Sequence, residues 1–324
     1  MSTTATSNFT GAVRERIGQV VIGQDTVVER TLVALLTGGH LLLQGVPGIG
    51  KTLLVNALAK AVDLQFSRVQ FTIDMLPSDI IGSEILDQSR NEFRTHKGPV
   101  FTNLLLADEI NRAAPKVQSA LLEAMQERKV TIGNMTHVLP APFVVIATQN
   151  PIEQSGTFEL PEAQLDRFML CHRLVYPSVE EEERIVKQQL SLGLRMEKEG
   201  AVPKSAFDML TEEPVRQIQD LTEAMGLVQK VYVSDVFTRQ CIELVRRTRE
   251  HANLEIGASP RAGMALVQAA RARAFIRDRD YVTPEDLFAL AEDVILHRIR
   301  MTYSALAEDA TGADTLKEIL AGLD

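Results

Sequence analysis

The sequence predicts a doubly wound α/β domain, a mostly parallel sheet with hairpin insertions, followed by an all-helical domain. Three observations lead there. Short apolar runs bounded by turn residues recur through the first half, as expected of strands buried on both faces. Segments of helical periodicity alternate with them, the order that builds a parallel sheet covered on both sides. After Tyr176 the strand-like runs give way to helical patterns.

The strands are expected at 41–43, 64–71, 104–107, 143–147 and 169–175, and the helices between them at 26–37, 51–62 and 115–128. Two segments interrupt the alternation. Residues 83–97 are polar, with Asp87, Ser89, Arg90 and Asn91 near the tip, and 129–142 reads as a hairpin turning at Gly133-Asn134. Pro177-Ser178 opens a helix, with Ser178 as N-cap and Glu181 completing a capping box. The acidic run 180–183 then falls in the first turn, where the helix dipole favours carboxylates. Residues 192–207, holding Gly193, Gly200 and Pro203, read as an irregular connection. Ser234, Ser259 and Thr283 are expected N-caps, with Pro284 at a first helical position. The division expected is 1–176 and 177–324, with 177–212 connecting the two.

Composition narrows the function. The chain has 324 residues, 45% hydrophobic and 24% charged, the balance of a globular protein. Residues 1–10 are polar and read as a short frayed terminus rather than a signal peptide, and no apolar run is long enough to span a bilayer. A cytoplasmic protein with no membrane insertion is expected. Cys171 and Cys241 read as two buried thiols, and the six histidines show no metal-binding spacing. A net charge of −9 speaks against a dedicated nucleic-acid binder.

Gly45-Val46-Pro47-Gly48-Ile49-Gly50-Lys51-Thr52 has the form of a phosphate-binding loop, set between an apolar strand and a helix opening at Leu53. Glycines let backbone N–H groups close around phosphates, Lys51 reaches the β- and γ-phosphates, and the Thr52 hydroxyl suits Mg²⁺. The strand ending in Asp108-Glu109 supplies the partners: Asp108 faces the metal and Glu109 polarises the attacking water. A third apolar strand ends at Asn150, which could hold the water or the γ-phosphate, or could simply start the turn Asn150-Pro151.

These motifs together resemble AAA+ ATPases, with Asn150 in the sensor-one position. More narrowly, the chain resembles the MoxR family through Gly98-Pro99-Val100-Phe101, 107–113, 118–125, 147–151, Leu160-Pro161-Glu162-Ala163-Gln164-Leu165-Asp166-Arg167-Phe168 and Gly257-Ala258-Ser259-Pro260-Arg261. The match spans roughly 18–300; Ile49-Gly50 stands where many members carry Val-Ala. The resemblance implies an ATPase using ATP and Mg²⁺ in a hexameric homo-oligomeric ring, with nucleotide between subunits. It implies that the helical domain is a lid, that Arg167 is an arginine finger reaching the next subunit, and that Arg261 is the sensor-two arginine. Arg112 is a further candidate for inter-subunit contact. Without the resemblance, Arg167 reads as a surface ion pair with Asp166 or Glu162, and Arg261 as a solvated helix-start arginine. Adenine would lie against Val20-Val21-Ile22-Gly23-Gln24, with Val21 and Ile22 as contacts, though the segment also reads as a helix-to-loop junction. The implied work is chaperone-like remodelling of protein complexes, with a protein substrate and a partner carrying a von Willebrand factor A domain. The alternatives are a nucleic-acid-handling ATPase and a chelatase-type motor for metal insertion.

Overall fold

The computed structural model describes residues 3–323 apart from 46, 47, 49, 90, 151–155, 198, 199, 211 and 212. Two helices come first, α1 (Thr3–Gly18) and α2 (Asp25–Thr37). Then β1 (Leu41–Gln44), α3 (Lys51–Ala61), β2 (Phe66–Gln70) and the short α4 (Pro77–Ile81) follow. A hairpin of β3 (Gly82–Asp87) and β4 (Glu92–Lys97) precedes β5 (Leu104–Asp108) and α5 (Pro115–Glu127). A second hairpin, β6 (Lys129–Ile132) and β7 (Met135–Val138), leads to β8 (Val144–Gln149), α6 (Glu162–Leu165) and β9 (Leu170–Arg173).

The main sheet has the order β2-β5-β8-β1-β9, and every pairing in it is parallel. Parallel strands share a direction, so the ends of β1, β2, β5 and β8 meet at one edge. The pleat sorts their side chains. Leu41, Leu43, Leu104 and Leu106 join one core, and Leu42, Leu105 and Val145 join the other, beneath Leu121 and Leu122 of α5. His40 is buried between them; its Nε2 faces the Met125 carbonyl oxygen at 3.2 Å, and its Nδ1 accepts from Val145 N at 3.0 Å. Burial lowers its pKa to about 4, so the ring is neutral and serves as a strut.

The chain continues through α7 (Val179–Ser191), a hairpin of β10 (Leu194–Glu197) and β11 (Gly200–Pro203), α8 (Ile218–Val228) and α9 (Asp235–Glu250). After these come β12 (Leu254–Ile256), α10 (Pro260–Ile276), α11 (Pro284–Ile295), β13 (Arg300–Met301), α12 (Tyr303–Ala307) and α13 (Gly312–Ala321). Ser178, Ser234 and Ser259 each accept a backbone N–H as helix caps, and Pro284 sits at the start of α11.

Two expectations need correction. The N-terminus is helical from Thr3, because Phe9, Val13 and Ile17 recur every four residues and are all buried. The polar segment 83–97 forms the first of the expected hairpin insertions, its apolar Ile85, Leu86 and Phe93 exposed. Residues 192–207 are not an irregular connection, since Leu194 pairs with Pro203 and Met196 with Ala201 in an antiparallel ladder. The thiols of Cys171 and Cys241 are buried, which raises each to about 12.

The first core does not stop at the sheet. Leu266, Leu287 and Leu290 of α10 and α11 belong to the same cluster as Leu32 and Leu36 of α2. A charged network follows the same seam. Glu29 accepts from Arg30 at 2.6 Å, Arg273 at 3.3 Å and Arg277 at 2.6 Å. Asp286, fully buried, accepts from Arg273 at 2.5 Å and Arg279 at 2.6 Å. Asp293 pairs with Arg30 and with His172 of β9. Burial pushes the Glu29 and Asp286 carboxyls up, but the arginines around each outweigh it and hold both below the ordinary carboxylate range. A lowered folded-state pKa contributes stability above the unfolded value and loses it as pH falls through the folded one. Unfolding midpoints should therefore drop on acidification below the ordinary carboxylate range. Asp286→Asn leaves Arg279 without its counter-charge and Arg273 with Glu29 alone, and should cost about 3–5 kcal/mol in denaturant unfolding near neutral pH. An unchanged midpoint would show that the network carries no stability.

Candidate active site

The loop after β1 reaches α3 through Gly48 and Gly50, whose φ values of 88° and 77° suit glycine and little else. Gly50 caps α3 directly, so the first N–H groups of the helix open toward the loop. Pro47 and Ile49, both expected cofactor contacts, lie outside the described residues. Lys51 Nζ donates to the Gly45 carbonyl oxygen at 3.0 Å. Burial pulls the Lys51 ammonium below its ordinary value, and Asp108 and Glu109 oppose that shift.

Gly48, Gly50, Lys51, Thr52, Leu53, Asp108, Glu109 and Asn150 line one cavity of about 510 Å³. Each acid arrives from the end of β5, and Asn150 from the end of β8. Thr148, fully buried, ties the two strands together: its hydroxyl donates to Asp108 Oδ1 at 2.6 Å and accepts from Glu109 N at 2.8 Å. Glu109 holds φ 56° and ψ 50°, a left-handed conformation that costs a non-glycine residue about 1–3 kcal/mol. Oxygen donors from Asp108 and Thr52 on one wall suit a hard divalent cation.

β2 contributes residues the sequence reading did not single out. Arg68 donates to Asp108 Oδ2 at 2.7 Å, and Gln70 Nε2 donates to Glu109 Oε2 at 2.9 Å. The signal available was the alternation Arg68-Val69-Gln70, which puts both polar residues on one face. Arg112 pairs with Glu109 of its own chain at 2.9 Å.

Val20, Val21 and Ile22 line a second cavity of about 420 Å³ that shares Gly48, Gly50 and Leu53 with the first. A cavity with an apolar stretch of wall beside a phosphate loop can take a nucleotide base.

Arg167 and Arg261 line neither cavity. Arg167 borders a separate polar hollow with Glu123 and Glu127, and has no ion-pair partner among the described residues. The surface-pair reading of Arg167 fails on its partners, because Asp166 pairs with Arg298 at 2.8 Å and Glu162 with Arg300 at 2.8 Å. Arg261 lies 3.9 Å from Asp166, next to Arg167 in the chain. Arg298 is nearly buried and grips this loop through Asp166, the Phe168 carbonyl oxygen at 2.6 Å and the Met169 carbonyl oxygen at 3.3 Å. Sequence reasoning could not find Arg298, since its partners lie some 130 residues away and are mostly backbone oxygens.

Comparison with known proteins places the chain in a family. A model of the ATPase family associated with various cellular activities matches residues 40–170, and a model of the AAA lid domain matches residues 246–319. The chain is 44% identical over 313 residues to Chaperone MoxR1 of Mycobacterium tuberculosis, covering 94% of this chain and 79% of that protein. It is 31% identical over 306 residues to Protein MoxR of Methylorubrum extorquens, covering 87% of this chain and 85% of that protein. A crystal structure of a candidate ATPase from Cytophaga hutchinsonii aligns with TM-score 0.89 and 41% identity, covering 100% of this chain and 96% of that one.

Proposed function

Because this chain belongs to the MoxR family of AAA+ ATPases and hydrolyses ATP, we propose that it couples turnover to chaperone-like remodelling of protein complexes. The observation that carries the reading is the convergence of Lys51, Thr52, Asp108, Glu109 and Asn150 on one cavity. Residues 1–176 form the ATPase core, 177–324 the helical lid, and 177–212 the connection between them.

ATP seats its base against Val21 and Ile22 and its phosphates along Gly45, Gly48, Gly50 and the N–H groups opening α3. Lys51 sits across the β- and γ-phosphates, and Leu53 packs under the nucleotide. When bound at Asp108 and Thr52, Mg²⁺ would neutralise charge on the phosphates. Glu109 orients the attacking water and takes its proton, with Asn150 holding the water or the γ-phosphate by its amide. Gln70 and Arg112 hold the Glu109 carboxylate from two sides and so set the position from which it meets the water. Thr148 keeps the backbone fixed meanwhile.

Arg167 and Arg261 serve the neighbouring subunit's phosphates in a hexameric ring. What supports this is their common place beside Asp166, away from the cavity of their own chain. An arginine stays charged and offers a rigid fork to phosphate. The partner is a protein with a von Willebrand factor A domain, and the substrate is a protein.

Turnover separates this reading from nucleic-acid handling. ATPase rate should rise on adding a von Willebrand factor A protein from the same organism. It should change by less than about twofold with DNA at ~0.15 M salt, because phosphate contacts need clustered basic charge and weaken steeply with salt. A large, salt-resistant stimulation by DNA would reverse the choice.

A further inference from the structure

Helix α7 and the groove between α9 and α10 are complementary surfaces. α7 contains no buried residue. Val179, Val186 and Leu190 are 71%, 56% and 79% exposed, and with Glu183 they follow the i, i+4, i+7, i+11 spacing of one helical stripe. Glu180 and Glu182 add negative charge at the same end. The opposite side is held by its own chain: Gln188 Nε2 donates to the Gln19 carbonyl oxygen at 2.8 Å.

The groove has a volume of about 600 Å³. Ile242, Met264 and Val267 give it an apolar floor, with Ile242 52% and Met264 58% exposed, and Arg246, Arg249 and Arg271 stand around it. Among the described residues Arg246 pairs only with Glu250, at 3.8 Å on the exposed surface, where such a pair contributes little. The Nε of Arg271 is buried and has no hydrogen-bond partner among the described residues. A buried guanidinium N–H without an acceptor is costly, and a carboxylate arriving in the groove would relieve it.

We infer that the α9–α10 groove of one subunit receives α7 of the next. Apolar stripe meets apolar floor, and the acids of the first turn meet the arginines. The inference rests on the ring reading above: Pro260, which borders the groove, adjoins Arg261, the residue directed at the neighbour's phosphates. Different patches meet on the two subunits, so the contact is head-to-tail and propagates around a ring. It also places the neighbour's lid on the helix that lines the second cavity through Ile185 and Val186, and so couples occupancy of that cavity to the subunit contact.

The test uses full-length chains carrying Glu109→Gln, so that bound ATP persists. One carries Leu190→Cys and the other Met264→Cys; both positions are exposed, and the native thiols are buried. Sedimentation reports the ring, and a short bismaleimide reports the contact. The mixture with ATP should give a cross-linked dimer that neither chain gives alone. In the cysteine-unmodified chain, Arg246→Glu with Arg249→Glu should raise the concentration for half-assembly by about tenfold or more. Adding Glu180→Arg and Glu183→Arg to that variant should bring it back. An assembled ring with no cross-link, or no recovery on charge exchange, overturns the docking and leaves the ring standing. A native chain that stays monomeric with ATP overturns both.

Discussion

Glu109→Gln should bind ATP with near-native affinity and turn it over about 10²- to 10⁴-fold more slowly, since the amide cannot take a proton from water. Lys51→Ala should show the opposite pattern, with binding weakened by about a hundredfold or more. Lys51 makes its hydrogen bond to the carbonyl oxygen of Gly45 and shares the cavity with Asp108 and Glu109. Removing it takes away the ammonium that the cavity offers to phosphates and leaves the two carboxylates beside them. Nucleotide affinity by calorimetry and phosphate release by a coupled assay separate the two variants. Native turnover in Glu109→Gln would remove the residue from the proposed mechanism.

Arg167 carries the second large effect. Alone, Arg167→Ala should lose about 10³-fold or more in turnover, as expected for an arginine directed at transferring phosphate. Its own site stays intact, whereas a Glu109→Gln chain is inactive at its own site yet keeps Arg167. Mixed rings should therefore recover activity wherever an Arg167→Ala site meets a neighbour's arginine. Random mixing in equal amounts gives about a quarter of head-to-tail interfaces that arrangement. Recovery should approach roughly a quarter of native activity, or less if sites fire together. Subunit exchange is checked first by fluorescence transfer. If activity does not return, native protein is titrated with Glu109→Gln: a linear loss would sink the trans-acting finger, and a steep loss would show that one silent site stalls the ring.

The parallel sheet was legible because its strands are buried on both faces. Leu41 to Leu43 and Leu104 to Ala107 are unbroken apolar runs that stop at turn residues. The hairpin of β3 and β4 left no such mark, because Ile85, Leu86 and Phe93 are all exposed and its polar residues alternate with nothing buried. α1 hid behind a polar start, although Phe9, Val13 and Ile17 carry its apolar face. In the site, Lys51, Asp108 and Glu109 belong to compact motifs, so the chain itself announces them. Arg68, Gln70 and Thr148 act through neighbours on adjacent strands, and only the strand order β2-β5-β8 brings them beside the acids.

Arg298 and the charged seam of α2, α10 and α11 bear on how force travels. A jaw needs a hinge where little must be broken. Here, swinging the C-terminal helices away from the sheet would separate Glu29 from Arg273 and Arg277, Asp293 from His172, and Arg298 from the loop carrying Arg167. Apart from the half-exposed Arg277, those charges are largely buried, where separation is expensive. These contacts tie the sheet, the C-terminal helices and the arginine loop into a single stiff tooth. In the ring proposed above, a displacement begun at one nucleotide would then be handed to the adjoining tooth, as in a gear train, with the compliant joint at the seam between subunits.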